Sequence, residues 1–253
     1  KGNDIQIEEA TKIISKAKKP IFYVGGGCIN SGPKASKLVR EFVNLTGAPV
    51  SMTLMGLGTI PASDPFSLGM LGMHGMYEAN LAMHECDVMV NIGARFDDRV
   101  TGRLDAFSPN SKKIHIDIDA SSIQKNIKVD IPIVGDVEAI IEQIITSWKK
   151  NKYSLEEVAL NSWWDKINEW KKIDCLAFQQ NEDRIKPQYA IKRLYELTKN
   201  KNTIITTEVG QHQMWAAQYY KFEKPNKWIT SGGLGTMGFG FPAAIGAQVA
   251  YPD

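Results

Sequence analysis

The sequence has 253 residues, of which 43% are hydrophobic and 23% charged, and its formal net charge is +2. Such a chain can bury the core of one or two globular domains, and its small charge predicts no nucleic acid and no membrane surface as partner. The three cysteines lie far apart, which predicts a reducing, cytoplasmic compartment and argues against a disulfide framework or a zinc motif.

The first 150 residues alternate between strand and helix patterns. Short apolar runs predict strands, and apolar residues at helical spacing predict helices between them. The predicted strands are 19–27, 47–53, 87–93, 112–119 and 131–136, and the predicted helices are 33–46, 76–86 and 137–148. Residues 56–75 are rich in Gly, Pro and Met and predict a loop. This alternation predicts a parallel sheet covered by helices on both faces, in a domain spanning 1–150.

A polar break at 149–154 predicts a linker, followed by a long helical stretch over 155–180. Its tryptophans, Trp163, Trp164 and Trp170, have the spacing of a core or docking surface more often than of a ligand site. A second α/β pattern follows, with helices predicted at 187–198 and 243–250 and strands at 202–210 and 227–232. We expect domain 1–150, a linker and helical stretch over 151–186, and a truncated second domain over 187–253.

Two glycine-rich turns follow predicted strands. Gly233, Gly235 and Gly238 match G-x-G-x-x-G before a helix, but the acidic residue expected about 20 positions later would lie beyond the last residue, so NAD is not favoured. The earlier turn, 25–27, misses that fingerprint because Asn30 stands at the last glycine position. Such turns nevertheless let backbone amides approach a ligand closely.

Charged residues follow other predicted strands, where open α/β sheets bind ligands. The segment 93–102 carries two arginines and two aspartates, and a binding site for phosphate or carboxylate is favoured about two to one over surface ion pairs. The carboxylates of Asp117, Asp119 and Asp136 could hold a ribose, although for each one alone a helix N-cap is the favoured interpretation, above all for Asp136, which a predicted helix follows at once. Near the C-terminus, His212 could hold a diphosphate beside backbone amides.

These segments resemble the large catalytic subunits of the acetolactate synthase (acetohydroxyacid synthase) family. The resemblance rests on LGMHGMYEANLAMHECDVMVNIGARFDDRVTG (71–102), IHIDIDASSIQKNIKVDIPIVGD (114–136), TEVGQHQMWAAQYY (207–220) and TSGGLGTMGFGFPAAIGAQVAYPD (230–253). It extends from Lys19 onward and is weakest over 149–186. GARFDDR together with GQHQMW is the specific part, although Ala120 stands where the family usually has proline.

The resemblance implies an α/β fold: a central FAD-binding, DHS-like domain with a parallel six-stranded sheet, then the truncated beginning of a thiamine-diphosphate-binding domain. The FAD contacts that it implies are Gly25, Gly26, His74, Gly75, Asn80, Gly93, Arg95, Asp117, Asp119, Asp136 and Val137. Those implied for thiamine diphosphate are Val209, Gly210, Gln211, His212, Gly235 and Met237. Met73, Asp98 and Arg99 would line a substrate channel, with Arg99 meeting a 2-oxo acid carboxylate.

The implied reaction is decarboxylation of pyruvate and condensation with a second 2-oxo acid, pyruvate or 2-oxobutyrate. The ligands of Mg²⁺ and the activating glutamate would lie outside this chain, so no metal ligand or catalytic residue is expected within it. Because the chain begins at Lys1 and ends just after a predicted helix, we expect it to be a piece of a longer protein. Because the activating glutamate and the Mg²⁺ ligands are not in it, we expect this piece to be inactive alone. The family also implies a homodimer or tetramer and a regulatory small subunit.

Two alternatives remain open. The second hypothesis is that the chain belongs to another thiamine enzyme of the same fold, such as glyoxylate carboligase, pyruvate oxidase or a sulfoacetaldehyde acetyltransferase. A nucleotide-binding module without catalysis is the third hypothesis, and flavin uptake by the protein would separate it from the enzymes.

Overall fold

A computed structural model describes residues 1–252. The strands are β1 (Pro20–Val24), β2 (Val50–Met52), β3 (Ser67–Met70), β4 (Val88–Ile92), β5 (Lys112–Asp117), β6 (Ile131–Val134), β7 (Ile205–Thr207) and β8 (Trp228–Thr230). The helices are α1 (Asp4–Ser15), α2 (Gly26–Asn30), α3 (Pro33–Thr46), α4 (Tyr77–Glu85), α5 (Asp98–Thr101), α6 (Val137–Lys150), α7 (Glu157–Lys171), α8 (Pro187–Thr198), α9 (Gln211–Tyr219) and α10 (Gly240–Ala250). None of the helices within 1–252 is long and apolar enough to cross a membrane.

The first unit contains a six-stranded, all-parallel sheet in the order β3-β2-β1-β4-β5-β6, which confirms the predicted fold class. The chain winds outward from β1 in one direction and then from β4 in the other. The connections therefore diverge between β1 and β4. In open parallel sheets a ligand crevice forms at this position, outside the carboxyl ends of the strands.

The central strands are buried on both faces, which explains their nearly continuous apolar sequences. Every residue of β1 and of β4 is buried, and the two strands pair in register from Pro20 opposite Val88 to Val24 opposite Ile92. Pro20 occupies the first position of β1, where a missing N–H disturbs the ladder least.

Alternate side chains of the sheet enter two hydrophobic clusters. Phe22 and Val24 pack with residues of α1, α3 and α6, whereas Ile21 and Tyr23 pack with residues of α4 and α7. The indole N–H of Trp163 in α7 donates to the Pro20 carbonyl at 3.1 Å. The predicted core or docking role of this tryptophan is thus correct, and it joins α7 to the first unit.

Two sequence predictions in this region were wrong in detail. Within the predicted loop 56–75, Ser67–Met70 forms the edge strand β3, which is short, contains Gly69 with φ of +74° and pairs irregularly with β2. The long helical stretch predicted over 155–180 ends at Lys171. Both errors arise because packing against neighbouring elements decides strands of four residues and helix ends more than local pattern does.

The second unit is built on β7 and β8, which form a two-stranded parallel ladder within the described residues. A buried polar contact crosses this ladder: the Thr207 and Thr230 hydroxyls lie 2.9 Å apart, and Gln213 of α9 donates to Thr230 Oγ1 at 2.6 Å. Helix α9 also packs its Ala216 and Ala217 in the hydrophobic cluster that contains Phe22 and Val24. The two units therefore share part of one core.

Candidate functional site

A cleft of about 1190 Å³ lies between the carboxyl ends of the first sheet and the second unit. Its walls come from the segments that follow β1, β2, β4 and β5 and from α9 and the turn after β8. Its lining includes Tyr23, Gly26, Gly27, Thr53, Leu54, Met55, Leu57, His74, Gly93, Ala94, Arg95, Asp97, Asp98, Arg99, Asp117, Val209, Gly210, Gln211, Gln213, Met214, Trp215, Gln218, Trp228, Gly232, Gly233 and Gly235.

The floor of the cleft is a contact between two glycine turns. Gly27 N donates to the Gly93 carbonyl at 3.0 Å, and a Cβ on Gly93 would come within 2.8 Å of Gly27 Cα. A Cβ on Gly25 would collide with the Gly93 carbonyl oxygen. Gly93 also has φ of +66°, which only glycine adopts without cost. Glycine is therefore needed here for close packing of the turn after β1 against the turn after β4.

The segment after β4 places two arginines at the cleft. Arg95 pairs with Asp97 at 2.8 Å, and both side chains are largely exposed. Arg99 lies 3.5 Å from Asp98, also in solvent. The Arg99 carbonyl accepts from Met73 N at 2.8 Å, so the loop after β3 is joined to this segment. Exposed pairs of this kind contribute little stability, which leaves both guanidinium groups available to an anion.

The predicted aspartates have different surroundings. Asp117 is nearly buried, lines the cleft and accepts from Asp119 N at 2.9 Å. Asp119 caps the 3-10 turn after β5 by accepting from Ser121 N, and hydrogen bonds from Ser121 and Ser122 lower the pKa of its carboxyl. Asp136 caps α6 and accepts from Ser31 Oγ at 2.9 Å. The capping alternative therefore describes the contacts of the last two.

Helix α9 directs its N-terminus toward the cleft. Gly210 is the N-cap residue, with φ of +151°. The first amides of a helix have no acceptor within the helix, and together with its dipole they favour an anion there. Gln211, Met214, Trp215 and Gln218 line the cleft at spacings of three and four residues, which places them along one face of α9.

The N-terminus of α10 has a different environment, because the Glu208 side chain occupies it. Glu208 Oε1 accepts from Gly240 N at 2.8 Å and from Phe241 N at 3.3 Å. Burial alone would raise the pKa of this carboxyl, but the backbone N–H groups of residues 238–241 together lower it. The N-terminus of α10 is thus occupied by a carboxylate of the protein itself. In the glycine-rich turn before α10, Gly232, Gly233 and Gly235 line the cleft.

The cleft brings together eleven of the predicted site residues: Gly26, His74, Gly93, Arg95, Asp98, Arg99, Asp117, Val209, Gly210, Gln211 and Gly235. The others lie outside its lining: Gly25, Met73, Gly75, Asn80, Asp119, Asp136, Val137, His212 and Met237. Among these, Asn80 uses its amide to bond both N and O of Gly72, at 2.8 and 2.9 Å, and Met237 is 84% exposed. Their part in binding stays a prediction.

Sequence reasoning missed several lining residues. Thr53, Leu54, Met55 and Leu57 follow β2, and the strand-end rule that singled out other segments could have included them. Met214, Trp215 and Gln218 were detectable from their helical spacing to Gln211. Asn91 and His115, directly below the cleft, gave no signal because isolated polar residues in buried strands are usually structural.

The lining fits both expected cofactors. A dinucleotide needs close backbone approach, a carboxylate for ribose and a cation for diphosphate, and Gly26, Asp117 and Arg95 supply these. The N-terminus of α9 suits a second diphosphate. No cluster of three or more His, Cys, Asp or Glu residues suited to a metal ion occurs in the described range 1–252.

Comparison with known proteins supports the thiamine cofactor. Residues 7–144 match the family described as "Thiamine pyrophosphate enzyme, central domain", and residues 208–253 match "Thiamine pyrophosphate enzyme, C-terminal TPP binding domain".

Relatives include the "Acetolactate synthase large subunit" of Buchnera aphidicola from Schizaphis graminum, which is 50% identical over 100% of this chain and 43% of its own length. The "Acetolactate synthase isozyme 3 large subunit" of Escherichia coli K12 is 47% identical over the same shares. "Acetolactate synthase 1, chloroplastic" of Nicotiana tabacum is 50% identical over 99% of this chain and 37% of its own length. The chain spans less than half the length of these relatives, and it belongs to the thiamine pyrophosphate enzymes.

Proposed function

We propose that this chain supplies the central domain and the first part of the thiamine-diphosphate domain of an acetolactate synthase large subunit. The observation that carries the proposal is that the carboxyl end of the first sheet and the N-terminus of α9 open into one cleft. Thiamine diphosphate, when bound, supplies the chemistry for decarboxylating pyruvate and joining it to a second 2-oxo acid. The names of the relatives favour this activity over the other thiamine carboligases.

In this proposal the first sheet binds FAD. The turns at Gly26 and Gly93 would let the dinucleotide approach the backbone, and the guanidinium of Arg95 would hold its diphosphate. Asp117 accepts hydrogen bonds from ribose hydroxyl groups, a role that its position at the end of β5 supports. His74, in the loop after β3, also lines the cleft and would contact the same ligand.

The thiamine side is built from α9 and the turn after β8. The backbone N–H groups of Gln211 and His212 at the start of α9 bind the diphosphate end, while Val209 and Gly210 leave room for it. Gly235 and Met237 hold the aminopyrimidine. Gly235 has φ of +69° and lines the cleft, which supports its part.

The substrate channel lies beside Arg99. Its guanidinium is largely exposed and orients the carboxylate of a 2-oxo acid, pyruvate or 2-oxobutyrate. Asp98 and Met73 border the same channel, and the hydrogen bond from Met73 N to the Arg99 carbonyl holds the two segments together.

Further parts of the assignment remain proposals. We place the central domain at 1–150, the linker and helical stretch at 151–186 and the thiamine-diphosphate domain from 187 onward. Mg²⁺ binds through residues beyond this chain, the full subunit forms a homodimer or tetramer, and a regulatory small subunit associates with it. The three free cysteines support a cytoplasmic location.

Flavin binding tests the first half of the proposal. We expect the chain to bind FAD saturably and Arg95→Ala to weaken binding about tenfold or more, as for loss of a charge-assisted contact, in isothermal titration calorimetry. Arg103→Ala is the matched control, because Arg103 is also exposed and paired with an aspartate, Asp105 at 2.7 Å, outside the cleft. Equal effects of the two substitutions would contradict the site.

Binding of thiamine diphosphate, measured by isothermal titration calorimetry, and turnover of pyruvate test the second half of the proposal. Gln211→Pro keeps a residue allowed in the first turn but removes one backbone donor, so affinity for thiamine diphosphate should fall. We expect the chain alone to convert no pyruvate with FAD, thiamine diphosphate and Mg²⁺ present. Formation of 2-acetolactate by the isolated chain would overturn the proposal that essential residues lie outside it.

A further inference from the structure

The segment that presents Arg95 is held in an unfavourable backbone conformation. Phe96 has φ of +55°, in the left-handed region that bulky residues rarely adopt. Ala94 and Phe96 are buried on either side of Arg95, whose side chain is largely exposed. Strain of this kind persists when the surrounding contacts hold the backbone in place. Two sets of contacts surround this segment.

The first contact set is a buried polar network around the Ala94 carbonyl. Asn91 Nδ2 donates to this carbonyl at 2.7 Å, Ala94 N donates to Asn91 Oδ1 at 3.0 Å, and His115 Nε2 lies 2.9 Å from the same carbonyl. Asn91 and His115 are completely buried. Because a carbonyl can only accept, Nε2 of His115 carries the hydrogen.

The ring of His115 makes a second contact with the same segment. It packs edge-on against Phe96, with centroids 5.0 Å apart and planes at 77°. Phe96 also touches Tyr23 and Phe107, and its carbonyl accepts from Asn126 Nδ2 at 2.9 Å. Asp117 Oδ2 is 3.7 Å from His115 Nε2, too far for a hydrogen bond, so the imidazole is committed to Ala94.

We propose that Asn91 and His115 are positioning residues for an anionic dinucleotide. By holding the Ala94 carbonyl and the Phe96 ring from inside the sheet, they fix the direction in which Arg95 leaves the backbone at the cleft. The inference rests on the proposed function, and it adds two residues that touch neither ligand nor solvent. A pre-ordered arginine binds a diphosphate without the cost of ordering the loop at the moment of binding.

The test separates the hydrogen bond of His115 from its packing. His115→Phe retains an aromatic ring against Phe96 but lacks the donor, whereas His115→Gln retains a donor for the Ala94 carbonyl. With the full chain and FAD as the titrant, we expect His115→Phe to weaken binding about tenfold and His115→Gln to restore most of it. Ile144→Val lies in the hydrophobic cluster of Phe22 and Val24, on the other face of the sheet from Phe96. It controls for a general loss of stability and should leave FAD affinity unchanged.

A double-mutant cycle with Arg95→Ala shows whether His115 acts through Arg95. In the Arg95→Ala background, His115→Phe should cause no further loss of FAD affinity, whereas additive losses would overturn the inference. Amide hydrogen exchange at Ala94 gives a readout without ligand and should be faster in His115→Phe and in Asn91→Leu. If the wild-type chain binds no FAD, the proposed function fails, and unchanged exchange at Ala94 would remove the loop-ordering role as well.

Discussion

At the scale of single residues, the surroundings of a glycine decide its importance more than its backbone angle does. Gly47 and Gly93 share φ of +66°. A Cβ on Gly47 would meet its nearest neighbour, Leu160, at 3.5 Å, which is ordinary contact distance. A Cβ on Gly93 would lie 2.8 Å from the Gly27 Cα and 2.9 Å from Cys28 N. The two positions form a matched pair.

Alanine substitutions at this pair should differ in cost. Gly47→Ala should lower the free energy of unfolding by about 1 kcal/mol, for the left-handed backbone alone. Gly93→Ala should cost about 1–3 kcal/mol more, because the methyl group meets backbone atoms that cannot move aside easily. Urea denaturation followed by circular dichroism measures both, and equal midpoints would show that the contact between the glycine turns is loose.

The cysteines also differ by surroundings. Burial raises the pKa of the Cys28 and Cys86 thiols, each to about 11, while Cys175 is exposed. Iodoacetamide at pH 8 should therefore label Cys175 first, and all of these thiols should react in urea, as read by mass spectrometry. In the unfolded chain the pKa of a cysteine thiol is about 8.5. The stability that the protonated, buried thiols contribute is therefore fully present below this pH and is lost as the pH rises through the folded-state pKa of about 11. Rapid labelling of Cys28 in the folded chain would contradict the packing of α2.

At the scale of elements, the two helices that follow β7 and β8 use their N-termini differently. The N-terminus of α9 begins at Gly210 and borders the cleft, whereas that of α10 receives the Glu208 carboxylate. Glu208 directly follows β7, so one short segment caps α10 and leads into α9. The segment 208–210 therefore connects the N-termini of the two helices.

Acid should loosen α10 before the first sheet unfolds. The folded-state pKa of Glu208 is lowered, so its stabilising contribution is present above the unfolded pKa of about 4.3 and is lost as the pH falls through the folded pKa. Glu208→Gln should make amide exchange at Gly240 and Phe241 faster at neutral pH. Glu182→Gln, an equal change of charge at an exposed residue outside the helices, should leave this exchange unchanged.

At the scale of the whole molecule, the two units differ in how completely they cover their apolar residues. Both faces of the first sheet are packed, by α1, α3 and α6 on one side and α4 and α7 on the other. Helix α10 instead exposes much of its apolar surface, including 74% of Phe241 and 77% of Val249. Exposed apolar side chains on one helix favour association with another protein surface.

Self-association of this chain should therefore depend on α10. Sedimentation velocity at increasing concentration should show oligomers, and the pair Phe241→Lys and Val249→Lys should shift the chain toward monomer. Val158→Lys, at a residue of α7 that is 75% exposed, is the matched control and should change nothing. If the α10 variants associate as strongly as the wild type, the exposed helix is not the contact.

Much of the fold was predictable because its signals are local. Pro33 at the first turn of α3, the apolar runs of β1 and β4 and the helical spacing in α6 each act within one element. Edge strand β3 was not predicted from the sequence, because its four residues lie within a Gly-rich stretch and gain their strand conformation from pairing with β2. The resemblance of whole segments identified the family, which periodicity alone does not do.

The sequence by itself determined the alternation of strands and helices, the thiamine-enzyme family and several of the strand-end segments that border the cleft. Tertiary structure decided which of those segments adjoin, because the strand order β3-β2-β1-β4-β5-β6 differs from chain order. It also decided that Glu208 occupies the start of α10 and that Asn91 and His115 hold the segment of Arg95. The Glu208 and His115 contacts join residues more than twenty positions apart, and Asn91 meets Ala94 where Gly93 turns the backbone after β4, so local pattern could not reveal them.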